Sequence, residues 1–290
     1  MAPRRITTRN ARFQQWQALL GNRSKRHRGR EFLVHGVRPV TLAVEQGWTI
    51  RALVYDADRR LSRWARDLLA STQAESWAMA PELLAELGER EDGTELLAVV
   101  EMPPDDFSRI PVGTEFLGVA FDRPTSPGNV GSVIRSADSF GAHGVVVTGH
   151  AADVYDPKSV RASTGSLFGL PTVRAPGHRE VAAWLDRARA AGTAVTVIGT
   201  DENGDTDVFS CDLTRPVLLA VGNETAGLSP AWRELCDETV SIPMTGSASS
   251  LNAANAASVV LYEAARQRIA ARAAAGPPAV PGTAGGPAAG

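Results

Sequence analysis

"LLAVGNETAGLS", residues 218–229, passes from a wholly apolar run straight into glycine, asparagine and glutamate. A strand with apolar side chains on both sides is buried on both faces, as in a parallel sheet covered by two layers of helices. "FLGVAFD" (116–122), "GVVVTG" (144–149), "AVTVIGT" (194–200) and "TVSIPM" (239–244) read the same way, with helical stretches between several of them. The second half of the chain is therefore expected to be an α/β domain around such a sheet. Gly222 and Gly227 do not complete the Gly-x-Gly-x-x-Gly of a dinucleotide fold, and no phosphate loop of the Gly-x-x-x-x-Gly-Lys type occurs. A nucleotide-dependent oxidoreductase is accordingly disfavoured.

The 290 residues suffice for two domains, and 43% hydrophobic with 21% charged residues is the profile of a soluble globular protein. Neither a membrane span nor a secretory leader is read in the sequence, so a cytoplasmic location is expected. Cys211 and Cys236 lack the spacing of a zinc site or a disulfide framework, and no metal is expected. Upstream of the sheet, residues 9–102 alternate strand and helix patterns, giving a small α/β domain assigned to 1–102. "MPPDDFSRIPVG" (102–113) has the composition of a linker. The catalytic domain is assigned to 114–272 and a disordered tail, rich in Ala, Gly and Pro, to 273–290.

Net charge is only −2, but residues 1–40 carry ten Lys or Arg against one acid, while the other 250 residues balance at −11. A basic arm on an acidic body implies a polyanionic partner. Its densest part is the loop "NRSKRHRGR" (22–30), where Arg23, Lys25, Arg26, Arg28 and Arg30 are the candidates for neutralising phosphates. A solvated flexible segment is the equal alternative. A membrane surface is disfavoured because no apolar face accompanies the charges.

In open α/β sheets ligands bind beyond the carboxyl ends of the strands, which directs attention to three strand exits. The first, "FDRPTSPGNVGSVIRSADSFGA" (121–142), enters a helix near Asn129, where Asn129 is a candidate cap. Arg135 lies one turn after Gly131, a position without a side chain, so its guanidinium is expected to have room to face a ligand. The plainer reading is a surface arginine beside a packing glycine. In the second exit, Gly222 is expected to admit a ligand close to the backbone, and Glu224 to be either a turn residue in water or an anchor for a cation, with Arg135 the candidate. The third, "IPMTGSASSLNAANAAS" (242–258), places Ser250, Asn252 and Asn255 at the mouth of an apolar helix, more polar groups than one N-cap needs.

Together, in this order, the three exits resemble the SpoU (TrmH-type) branch of the SPOUT RNA methyltransferases. The first motif is matched by Asn129, Gly131, Arg135 and "SFG" (139–141), the second by "GNETAGLS" (222–229), the third by "IPMTGSASSLN" (242–252). The basic N-terminal stretch is similar to the start of the small RNA-binding domain of many members. The resemblance implies a parallel sheet with a deep trefoil knot, a homodimer, and S-adenosylmethionine held by Gly222, Ile242 and Leu251, with Gly199 and Thr200 beside them. It implies that Asn129, Arg135, Glu224, Ser250 and Asn252 serve methyl transfer to a ribose 2′-hydroxyl. Within the branch, the separate N-terminal domain favours ribosomal RNA, and the chain looks similar to actinomycete resistance enzymes acting on a uridine of 23S rRNA. A housekeeping guanosine methyltransferase of the same RNA and a non-catalytic dimeric RNA-binding protein are the alternatives.

Overall fold

The computed structural model describes residues 4–88 and 93–275. The N-terminal unit runs β1 (Arg4–Ile6), α1 (Ala11–Gly21), α2 (Arg23–Gly29), β2 (Glu31–His35), α3 (Val37–Glu45), β3 (Ile50–Asp56), α4 (Arg63–Ser71), β4 (Glu75–Met79), α5 (Pro81–Gly88) and β5 (Leu96–Glu101). Its sheet has the order β1-β4-β3-β5-β2, with β5 antiparallel to both neighbours. The basic stretch expected as a loop is instead α2, because the Asn22 side chain accepts from the Lys25 N–H and starts a new helix directly after α1.

The second unit continues with β6 (Leu117–Asp122), α6 (Pro127–Ser139), β7 (Gly144–Thr148), α7 (Pro157–Ser163), α8 (Ser166–Gly169), β8 (Thr172–Ala175), α9 (His178–Ala190), β9 (Thr196–Thr200), β10 (Thr206–Asp207), β11 (Val217–Val221), α10 (Pro230–Leu235), β12 (Glu238–Ser241) and α11 (Ala253–Ala275). The sheet order is β10-β12-β9-β11-β6-β7-β8, and every pairing is parallel. All residues of β6, β7 and β11 are buried, as their apolar sequences required. Of the proposed tail, residues 273–275 continue α11; residues 276–290 lie outside the described residues.

Residues 103–113 are a packed strap rather than a loose connection. Phe107 stacks on Trp184 with ring centroids 5.0 Å apart, and Ile110 is buried against Gly144, where a Cβ would lie 2.7 Å from Ile110 Cγ1. The two units also share aromatic packing. Trp48 meets Phe168 edge-on at 5.1 Å and donates its indole N–H to the Phe168 carbonyl at 3.0 Å, while Phe32 lies 4.8 Å from Tyr155. Asp153, with its side chain 3% exposed, accepts from Arg26 Nε at 2.8 Å. Both cysteines are free, and burial raises their thiol pKa, that of Cys236 to about 12, so they remain protonated.

Candidate active site

Because β9, β11 and β6 are adjacent and parallel, the segments leaving their carboxyl ends meet, and the chain after β12 joins them. A cavity of about 240 Å³ opens there, its wall including Thr200, Gly222, Glu224, Ile242, Ser250 and Leu251. Gly199, Asn129, Arg135 and Asn252 are not part of the wall.

Glu224 organises the junction. One carboxylate oxygen accepts from the Thr125 N–H at 2.9 Å and its hydroxyl at 3.0 Å; the other accepts from the Ser126 N–H at 3.1 Å and Asn129 Nδ2 at 3.0 Å. Burial raises its pKa, but the Thr125, Asn129 and Ser126 hydrogen bonds outweigh that and hold the carboxyl below its ordinary 4.5. No arginine reaches Glu224 among the described residues: the expected pairing with Arg135 is corrected to a set of donors at the start of α6. Acidic charge there also suits the positive end of the helix.

Asn129 is not the cap of α6. Ser126 is, its hydroxyl accepting from the Asn129 N–H at 3.3 Å. This leaves the Asn129 amide free to bridge all three exits, donating to Glu224 and accepting from Asn252 Nδ2 at 3.2 Å. Asn252 in turn accepts from the Ala254 N–H at 2.9 Å, so one side chain caps α11 and ties it to α6. Asn255 is exposed and only its backbone N–H reaches Asn252, at 3.4 Å.

Three expectations about small residues and Arg135 change. A Cβ on Gly131 would lie 2.2 Å from the Ser159 carbonyl oxygen and 2.7 Å from Ala162 Cβ, so this glycine lets α7 pack on α6 and does not clear space for Arg135. Arg135 is exposed on α6; its carbonyl accepts from the Ser139 hydroxyl at 2.8 Å, and its guanidinium makes no hydrogen bond or ion pair among the described residues. Gly222 does line the cavity, yet its missing side chain makes room for the loop itself: a Cβ would lie 2.3 Å from the Gly227 carbonyl carbon. The loop folds back there through paired Asn223 and Gly227 backbone bonds, both 3.0 Å. Gly199 serves packing, since a Cβ would fall 2.8 Å from Cys236 Sγ and 2.9 Å from Leu228 Cδ1.

Of the five basic candidates, Arg26 is withdrawn as a phosphate ligand. It is 2% exposed and spends its donors on Asp153 and on the Leu19 and Leu20 carbonyls at 2.7 and 3.1 Å. Arg23, Lys25, Arg28 and Arg30 are exposed, although Arg23 also donates to the Ala151 carbonyl at 2.7 Å and Arg30 to that of Met102 at 3.0 Å.

Two pairs escaped sequence reasoning. Buried Asp122, at the end of β6, accepts from the Ser229 N–H at 2.9 Å and from Arg123, which also donates to the Gly227 carbonyl at 3.3 Å. Arg123 takes a left-handed backbone, φ +51°, to do so. Asp201 and Arg233, both in the cavity wall, form an ion pair at 2.5 Å. Neither carries a sequence signal beyond standing near a strand exit.

The SpoU rRNA Methylase family pattern matches residues 117–262, and the SpoU L30e-like domain matches residues 10–98. The chain belongs to the SpoU rRNA methylase family. It is 68% identical over 277 residues, 95% of this chain and 96% of the relative, to a 23S rRNA (uridine(2479)-2′-O)-methyltransferase of Streptomyces viridochromogenes. The crystal structure of the SpoU methyltransferase AviRb from that organism, in complex with AdoMet, superposes with a TM-score of 0.87 at 68% identity, covering 90% of this chain and 99% of that one. An AdoMet-bound rRNA methyltransferase from Sinorhizobium meliloti gives a TM-score of 0.80 at 30% identity over 91% and 97% of the two chains. Within the SpoU family, the exits that carry this chain's motifs are the ones that the Glu224–Asn129–Asn252 hydrogen bonds join.

Proposed function

We propose that this SpoU-family chain transfers a methyl group from S-adenosylmethionine to the ribose 2′-oxygen of a uridine in 23S rRNA, in the cytoplasm, and thereby confers resistance to avilamycin-type antibiotics. The observation that carries the reading is the near full-length likeness to the Streptomyces uridine methyltransferase, joined to a cavity whose wall carries residues of the second and third motifs, with Asn129 of the first hydrogen-bonded to Glu224 in that wall. The cavity suits the cofactor. Val221, Val240 and Ala253 offer apolar surface for a flat base, while Thr200 and Ser250 supply polar groups at the wall.

S-adenosylmethionine supplies an electrophilic methyl on a sulfonium; the protein must orient the ribose oxygen and stabilise the charge that grows on it. Asn129 and Asn252, fixed by Glu224, are assigned to orienting the substrate at the cavity edge, with Ser250 in the wall. Arg135 is assigned to the developing alkoxide. It is exposed and without a carboxylate partner among the described residues, which leaves its guanidinium available to bound RNA. A guanidinium does not give up its proton in proteins, so the role is electrostatic, and the hydroxyl proton passes to a substrate phosphate or to solvent.

The family reading also supplies the trefoil knot and the homodimer. Val259, Tyr262 and Ile269, exposed along α11, supply an apolar face for a second copy. Primer extension at limiting nucleotide on 23S rRNA treated with enzyme and cofactor tests the function: a single stop at one uridine is expected, whereas a stop at a guanosine would make it the housekeeping enzyme.

A further inference from the structure

Arg233 is the one cation in the cavity wall, and its donors are only partly used. Nε donates to the Leu228 carbonyl at 3.3 Å, and the Nη1 nitrogen meets Asp201 at 2.5 Å. The second terminal nitrogen lies 3.8 Å from the point where a Cβ on Gly227 would sit, beside the loop that forms the wall, and has no hydrogen-bond partner among the described residues. Asp201, whose side chain is 7% exposed, is committed to Arg233 and, through its other oxygen, to the Asn203 N–H at 3.0 Å. Glu202, next in sequence and also in the wall, is exposed and has no partner among the described residues.

The wall thus presents one unlike pair with capacity to spare, a guanidinium held in place by Asp201 and a free carboxylate. That pattern complements a zwitterion. Adenosine is neutral, its adenine flat and its ribose bearing only hydroxyls, so it offers no opposite charges to match both groups, whereas an α-amino acid carries one charge of each sign on the same carbon. Resting on the cofactor reading above, we propose that Arg233 binds the α-carboxylate of the cofactor's methionine end and Glu202 its α-ammonium, making this pair the determinant of selectivity for the amino-acid portion of the ligand. Asp201 is then a positioning residue that fixes the guanidinium.

The test uses the full chain and two ligands that share the adenosine and thioether but differ in the amino acid: S-adenosylhomocysteine and methylthioadenosine, titrated by calorimetry. Wild type is expected to bind both, the first more tightly. Arg233→Gln should weaken S-adenosylhomocysteine about tenfold, the scale of one charge-assisted hydrogen bond, and leave methylthioadenosine within about twofold. Glu202→Gln should behave likewise, and Arg233→Lys should restore part of the loss. Equal weakening of both ligands, which a mere distortion of the wall would cause, overturns the proposal, as does no weakening of either. Failure of the wild type to bind either ligand would instead remove the cofactor reading, and the proposal with it.

Discussion

A carboxylate that receives hydrogen bonds from Thr125, Ser126, Asn129 and Asn223 needs no cation, and at Glu224 this fact moves Arg135 from structural partner to free charge. The type of each residue was legible in the sequence, but who holds whom was not. Acid and arginine on neighbouring loops suggest a pair, and only the path of residues 123–126 shows backbone N–H groups arriving first. Glu224→Gln keeps the shape but loses the charge and one acceptor; a loss of about 1–3 kcal/mol is expected in chemical denaturation. The folded-state pKa of Glu224 is depressed, so its stabilising contribution is complete above the ordinary 4.5 and is lost as pH falls through the lower folded value. Glu224→Gln should therefore flatten the acid limb of the stability profile. For Arg135→Lys, an electrostatic role predicts a rate lowered by roughly a hundredfold or more with an unchanged pH dependence. A shifted pH–rate profile would indicate a general base instead.

At the scale of elements, apolar runs located the buried strands β6, β7, β9 and β11, because burial on both faces leaves no alternation to misread. β1, β4, β8 and β10 were missed. Arg4–Ile6 and Thr206–Asp207 are too short and polar to announce themselves and are strands only through their partners, β4 and β12. Gly131 was legible as a glycine in a helix but not as the contact for α7, since Ser159 and Ala162 are remote in sequence. Gly131→Ala would force α7 off α6, and overpacking against backbone should cost about 1–3 kcal/mol. Thermal denaturation reads this directly; an unchanged midpoint would contradict the packing role. Because α6 also carries Asn129, the variant should lose methyl transfer along with stability.

Over the whole molecule, the charge asymmetry correctly marked the first 40 residues as unusual without separating surface arginines from a buried one. Arg26 and Asp153, 127 positions apart, join the two units, a relation no local pattern reveals. Removing one partner strands the other charge, so Arg26→Met should destabilise by about 3–5 kcal/mol. Lys25→Ala and Arg28→Ala should leave the melting temperature unchanged, yet each should weaken RNA binding and reduce its salt slope by about 1. Melting curves and salt titrations of the three variants separate the structural arginine from the surface charges. The most direct test of the central claim is nucleoside mass spectrometry of large-subunit rRNA after incubation with enzyme and methyl-labelled S-adenosylmethionine. The account predicts label on the ribose of a uridine, strongly reduced by Arg135→Ala or Asn252→Ala; label on a base, or undiminished ribose label in both variants, would contradict it.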